Sequence, residues 1–158
     1  MANENTPRRP LTVDELSRLL DETFPELHAQ GRRMRIVSVG EKSVRVQLAI
    51  DRTSLRPGGS VSGPTLFALA DVAIYAALLA HLGPDAIQAV TANLNITFLS
   101  RPELADLVAD ARLIRIGRRL AYAEVELRSH GQDGLVAHAT SSYALSPQVR
   151  LRSNDEVK

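Results

Sequence analysis

Apolar residues run almost without interruption through one stretch of this chain, from Pro64 to Ala80. Its residues favour a helix, with a proline at the start, where the missing N–H costs nothing, and Gly83-Pro84 after the end. A helix that is apolar on all sides is expected to be buried on all sides, so a sheet must wrap around it. Asp71 interrupts this stretch, and a buried carboxylate needs a chemical reason.

A shorter helix is predicted near the N-terminus. Thr12 and Glu15 have the spacing of a capping box. Apolar residues then recur at helical spacing along one face: Val13, Leu16, Leu19, Leu20 and Phe24. Because Pro25 interrupts the pattern, it predicts an amphipathic helix that ends there and packs at the outside edge of the domain.

Six further segments alternate apolar and polar residues, as strands with one face in the core do. They begin near positions 34, 44, 89, 106, 120 and 135, and Gly117-Arg-Arg119 predicts a hairpin turn between two of them. Inward positions of the last run are small, which suits a sheet with a helix lying close to it. The predicted fold is α+β, an antiparallel sheet of five to six strands wrapped around one long central helix, preceded by the N-terminal amphipathic helix.

Length and composition fit one folded unit. The chain has 158 residues and is 44% hydrophobic, enough for one core and too little for a second domain. Residues 1–10 are polar and interrupted by proline, which predicts a flexible leader. Residues 11–145 form the predicted domain, and the charged residues 146–158 predict a disordered tail.

Charge and residue types disfavour several classes of function. Nineteen Lys and Arg balance eighteen Asp and Glu, so the net charge of +1 gives no electrostatic basis for binding nucleic acid or an anionic membrane. The sequence has no cysteine, which excludes disulfides, thiolate chemistry and Cys-ligated metals. The four histidines fall in different predicted elements without ligand spacing, so no metal site is expected.

A membrane location is not favoured either. The stretch from Pro64 to Ala80 has 17 residues, fewer than the roughly 20 that span a bilayer, and it contains Asp71 near its centre. No apolar signal precedes the predicted domain. A cytoplasmic protein is the simplest interpretation.

Four stretches, in order, carry recognisable motifs: residues 58–79, 91–102, 116–126 and 134–139. They are spread through residues 33–145 and resemble the PaaI-like branch of the hotdog-fold acyl-CoA thioesterases. The resemblance implies a hotdog fold and hydrolysis of an acyl-CoA or aryl-CoA thioester, with coenzyme A entering as part of the substrate and no other cofactor. It also implies a homodimer or a dimer of dimers, with each active site at the subunit interface.

The resemblance assigns roles to individual residues. Gly63 occupies the oxyanion position, where a backbone N–H at a helix start faces the thioester carbonyl. Asp71 matches the catalytic carboxylate, acting as general base or as nucleophile. Thr91 matches a hydroxyl that in some relatives comes from the facing subunit and holds the water. Ser62 and Pro64, which flank Gly63 where the family usually has His and Gly, are expected beside the substrate.

Three arginines are candidates for binding the substrate. Arg56 stands where the family usually has asparagine, and it is expected either to pair with Asp71 or to bind a substrate carboxylate or a CoA phosphate. Arg118 and Arg119 are most simply solvated turn charges. Their functional alternative is to hold the CoA phosphates at the mouth of the pocket.

The acyl group is expected in an apolar pocket beside Tyr75, together with Phe67 and Ile74. Such a pocket takes aryl and medium-chain groups alike, so the sequence does not select between them.

Two other functions are compatible with a hotdog fold. One is an acyl-CoA-binding protein without turnover, a sensor or a carrier-binding module, which the replacement of the family's His and Asn would explain. The other is a dehydratase, which ranks last because Ser62 stands where a histidine would be needed.

Overall fold

The computed structural model describes residues 9–149 and 151. It contains two α-helices, α1 (Val13–Thr23) and α2 (Gly63–Leu82), in its described part. Its strands are β1 (Met34–Gly40), β2 (Ser43–Leu48), β3 (Val90–Phe98), β4 (Leu107–Ile116), β5 (Leu120–Ser129) and β6 (Ala137–Ala144). Most of the predicted leader and of the predicted tail, residues 1–8, 150 and 152–158, lies outside the described residues.

The strands form one six-stranded antiparallel sheet in the order β1-β2-β4-β5-β6-β3. The long hairpin predicted at Gly117-Arg-Arg119 is confirmed, since it joins β4 to β5. The sheet packs against α2, so the prediction of an antiparallel sheet around one long helix is confirmed. In this order β1 and β3 form the two edges of the sheet.

Small residues let α2 lie close to the sheet. The inward positions of β4, β5 and β6 include six fully buried alanines: Ala109, Ala111, Ala121, Ala123, Ala137 and Ala139. On the facing side of α2, Ala70, Ala73 and Ala77 are also buried. Close-packed interiors leave few voids, so a larger side chain at these positions would push the helix away from the sheet.

One side of α2 is not covered by its own sheet, so the prediction of burial on every side is wrong there. The uncovered positions recur at helical spacing and form what we call the open stripe: Pro64, Phe67, Ala68, Asp71, Val72 and Tyr75. Phe67 in this stripe is 43% exposed. The sheet packs on the rest of the helix and leaves the side chains of this stripe, all but Asp71 apolar, partly or fully exposed to water.

The length of α2 also corrects the argument against a membrane span. The helix has 20 residues, and the segment Gly63–Ala86 is long and apolar enough to cross a bilayer by length and composition. However, 72% of its most apolar window is buried inside the protein, as in the core helix of a soluble domain.

Both chain ends of the domain pack on this core. Thr12 and Glu15 form the predicted capping box of α1, which buries Leu16 and Leu20. The helix ends before Pro25, as predicted, and a short 3₁₀ turn begins at that residue. Beyond β6, Val149 and Leu151 are partly buried against the core, so packing continues into the segment predicted to be a tail.

Candidate active site

Asp71 lies half-buried in the middle of α2, and two hydroxyl groups hold one of its carboxylate oxygens. Thr91 Oγ1 donates a hydrogen bond to Asp71 Oδ1 over 2.7 Å. The Tyr143 hydroxyl donates to the same oxygen and lies 2.9 Å from the carbonyl oxygen of Asp71. Across residues 9–149 and 151, no hydrogen bond reaches Oδ2. The second oxygen is therefore available to a substrate or a water.

Thr91 comes from the same chain as Asp71, which corrects the expectation of a hydroxyl from the facing subunit. The register of the sheet explains its position, because Thr91 on β3 pairs with Tyr143 on β6. The two hydroxyls therefore reach the carboxylate from neighbouring strands.

Tyr143 is the residue of this cluster that the sequence did not single out. It is 3% exposed, and its ring stacks on that of Tyr75 with centroids 6.4 Å apart. Burial raises the pKa of the Tyr143 hydroxyl far above its usual range, and the bonded Asp71 carboxylate raises it further. Tyr143 consequently remains a hydrogen-bond donor at any pH at which the protein works.

A cavity of about 410 Å³ with a mixed polar and apolar lining opens beside Asp71. Tyr75 lines it as expected, with Phe24, Val72 and Ile87. The Tyr75 ring meets Phe24 edge-on at 6.2 Å, and its hydroxyl donates to the Ile87 carbonyl over 2.7 Å. The neighbouring Ile74, by contrast, is fully buried in the core. The prediction for Ile74 was wrong because successive helical residues point about 100° apart.

Phe67 also differs from the expectation, since it lies on the open stripe and does not line this cavity. Phe24 takes its place as the aromatic wall. The only sequence signal for Phe24 was its position as the last apolar residue of the α1 face.

The start of α2 leaves one backbone donor unused. The Ser62 hydroxyl accepts the N–H of Thr65 at 3.2 Å, and the Ser62 carbonyl accepts the N–H of Leu66 at 3.3 Å. Pro64 has no N–H. The remaining first-turn donor, the N–H of Gly63, meets no acceptor in the part of the chain that the structure describes. Ser62 thus acts as the N-cap, and Gly63 offers its N–H at the positive end of the helix dipole.

A second cavity, of about 670 Å³, lies next to Gly63. Arg56 and Arg101 line it, and neither forms an ion pair with any other described residue. The ring of Phe98 packs on Gly63, so a Cβ added there would lie 3.3 Å from Phe98 Cζ. Ser62 and Pro64 do not line this cavity, although they flank Gly63.

The expected pairing of Arg56 with Asp71 does not occur within the chain. Arg56 lies with Gly63 at the start of α2, whereas Asp71 lies in the other cavity. Gly63 and Asp71 are eight residues apart on one helix, a distance of about 12 Å along its axis. One chain therefore cannot bring both groups to the same carbonyl.

Arg118 and Arg119 are exposed in the β4–β5 turn and line neither cavity. The adjacent Leu120 pairs with Ala144, which in turn pairs with Val90. The turn therefore lies about 10 Å from the start of β3, at the same end of the sheet as Thr91.

Sequence comparison identifies the family to which this arrangement belongs. The profile of the Thioesterase superfamily matches residues 58–136, half of the chain, including α2 with Gly63 and Asp71 and all of β3. The chain belongs to the thioesterase superfamily. The hotdog fold of this family agrees with the sheet and the central helix described above.

Related proteins agree with the assignment to the thioesterase superfamily. A protein from Silicibacter sp. TM1040 with a known crystal structure, provisionally named a thioesterase, is 40% identical in sequence to this chain. The two structures superpose with a TM-score of 0.80, and the match covers 90% of this chain and 97% of the other. A phenylacetic acid degradation-related protein from Ralstonia eutropha JMP134, also provisionally a thioesterase, is 29% identical with a TM-score of 0.71, covering 82% and 98%.

A curated relative, a provisional esterase of Halobacterium salinarum, is 35% identical over 99 residues, or 61% of this chain. The match spans 65% of that relative's length.

Proposed function

We propose that this thioesterase hydrolyses an acyl-CoA or aryl-CoA thioester at a site shared by two copies of the chain. Asp71 of one copy supplies the reactive carboxylate and Gly63 of the other supplies the oxyanion donor. The observation that carries the proposal is the separation of Gly63 and Asp71 along α2. Both groups face outward, and neither forms a complete site without the other.

A two-fold axis brings the two groups together. Phe67 stands midway between Gly63 and Asp71 on the helix, four residues from each. If the open stripes of two copies pack antiparallel about Phe67, each Gly63 faces the partner's Asp71, because a two-fold interface places residue i against residue j twice. The same contact would bury the exposed Phe67 and Ala68 and the half-buried Val72, which removes apolar surface from water.

The edge strand β3 supports the same homodimer. Val90 and Phe98, at its two ends, are 61% and 53% exposed. Within the described chain, β3 pairs on one side only, with β6. An unpaired edge with apolar side chains is a ready template for a second strand, so a partner copy would continue the sheet. Whether two such dimers associate further stays a prediction.

The proposed chemistry uses the free oxygen of Asp71. As general base, Oδ2 takes a proton from water while the hydroxide attacks the thioester carbon, and the C–S bond breaks to give the acid and the CoA thiol. As nucleophile, Oδ2 attacks the carbon itself, the CoA thiolate leaves, and water cleaves the resulting anhydride. In both routes negative charge develops on the carbonyl oxygen, where the N–H of Gly63 would stabilise it.

The two cavities suit the two ends of such a substrate. Aromatic and aliphatic side chains around Asp71 favour an apolar acyl or aryl group, and the name of the Ralstonia relative is consistent with an aryl acid. Arg56 and Arg101, beside Gly63, favour the phosphates of CoA, because guanidinium groups bind phosphate in a bidentate manner. Arg118 and Arg119 remain further candidates for these phosphates.

Hydrolysis of short, medium, long and aromatic acyl-CoAs tests the proposal, with released thiol as the readout. We expect Asp71→Asn to lower kcat by at least about a hundredfold, the low end for removal of an acid–base group. Asp133→Asn, in an exposed turn, is the matched control and should leave kcat unchanged. Tight binding of the CoA esters without turnover in wild type would instead identify a binding protein.

A further inference from the structure

The two oxygens of the Asp71 carboxylate have different surroundings. Oδ1 accepts hydrogen bonds from Thr91 and Tyr143, whereas none of the described residues donates to Oδ2. A carboxylate attached by a rotatable side chain can present either oxygen unless something holds it. Two donors on one oxygen remove that freedom.

Tyr143 is built to hold its position. It lies on the inward face of β6, between two other strands that pair with it on either side. Its ring is stacked on Tyr75, which is itself held by Phe24 and by the Ile87 carbonyl. The phenol therefore has one orientation available to it, with its hydroxyl on Asp71.

The carbonyl of Asp71 does not need this hydroxyl for its own hydrogen bonding. In the interior of a helix each carbonyl accepts the N–H four residues later, which here belongs to Tyr75. Oδ1 depends on side chains alone. The hydroxyl of Tyr143 therefore matters for the orientation of the Asp71 carboxylate, whereas the helix is hydrogen-bonded at this position without it.

We propose that Tyr143 is a positioning residue, which together with Thr91 fixes Asp71 Oδ1 and leaves Oδ2 as the oxygen that takes the proton or attacks the thioester. This inference rests on the proposed function of Asp71. Tyr143 itself touches no reacting atom. It keeps the reactive oxygen aimed at the cavity, in which the acyl carbon would lie.

A double-mutant cycle tests the proposal. Tyr143→Phe removes only the hydroxyl and is expected to lower kcat at least tenfold with little change in KM. In an Asp71→Asn background the same substitution should lower kcat no further, because the reactive carboxylate oxygen that Tyr143 would position is no longer present. Tyr122→Phe, on the exposed outer face of β5, is the control and should match wild type. Equal losses of kcat from Tyr143→Phe in both backgrounds would show a merely structural role and overturn the proposal.

Urea unfolding supplies a readout that needs no turnover. Tyr143→Phe should cost less free energy of unfolding in an Asp71→Ala background than in wild type, because no side-chain oxygen is then left at position 71 to accept the hydroxyl. Equal costs in the two backgrounds would refute the contact. If wild type cleaves no thioester, the function proposed above fails, whereas the unfolding cycle still decides whether Tyr143 holds Asp71.

Discussion

The unused N–H of Gly63 allows the proposed oxyanion donor to be removed with little other change. Gly63→Pro deletes this N–H, and proline is well tolerated in the first helical turn. Ser62, the preceding residue, has ψ of 151°, which is the extended conformation that a following proline requires. Gly63→Ala is the matched control, because it adds the same Cβ and keeps the N–H.

The two variants should differ mainly in catalysis. The N–H of Gly63 stabilises nothing else within the described residues, so its loss should not lower the free energy of unfolding. In both variants Cβ lies 3.3 Å from Phe98 Cζ, and both place a Cβ before Pro64, at a cost that they share. Removal of one oxyanion donor costs about 2.7–4 kcal/mol of transition-state stabilisation, so kcat should fall about 10²- to 10³-fold for Gly63→Pro relative to Gly63→Ala.

Steady-state hydrolysis of the best acyl-CoA, followed by released thiol, measures this ratio. Urea unfolding of both variants checks that their stabilities match. If Gly63→Pro and Gly63→Ala hydrolyse the substrate at the same kcat, the N–H of Gly63 does not bind the oxyanion, and the assignment of the start of α2 is refuted.

Two further predictions follow from the shared site and from α1. Mixing Gly63→Pro with Asp71→Asn under conditions that let subunits exchange should restore about a quarter of wild-type activity. Half of the randomly formed dimers are hybrids, and each hybrid has one intact site of two. If verified hybrids recover no activity, the two groups do not act across the interface. Arg9 and the Thr12 backbone lower the pKa of Glu15 to about 2, so the stability from this capping box should be complete above about pH 4.5 and fall as the pH approaches 2. Thermal unfolding measures this loss, and Glu15→Gln should flatten the dependence between these pH values.

The periodicity of the sequence predicted most of the fold because burial follows it closely. Strands β4, β5 and β6 bury alternate residues along most of their length. The capping box of α1 and the hairpin at Gly117 were predictable for a different reason, since each depends on a few residues close together in the chain.

The open stripe could not be predicted from periodicity. A helix that is apolar all round gives no polar face to mark the side left outside, and here the uncovered side carries Phe67, Ala68 and Val72. Such a surface is apolar in sequence whether its own sheet or a second copy covers it. The pattern therefore predicted that α2 is buried, but it did not predict whether the chain's own sheet or a second copy covers each side.

The residue pattern alone singled out a member of the Asp71 cluster only where it was unusual in its setting, whereas Thr91 was named through the family resemblance. Asp71 stood out as a charge in an apolar helix, whereas Tyr143 looked like any inward residue of β6. Arg56 does not pair with Asp71 of its own chain, because the loop before α2 places Arg56 beside Gly63, about two helical turns from Asp71.

Because Gly63 and Asp71 lie on one helix, the number of residues between them is constrained during evolution. Each inserted or deleted residue between them would rotate everything after it by about 100° and carry Asp71 from the open stripe toward the sheet. Loops elsewhere can lengthen or shorten, but this segment can tolerate exchange of side chains only. Homologous sequences that keep the activity should therefore align through α2 without a gap, even where little else of them aligns.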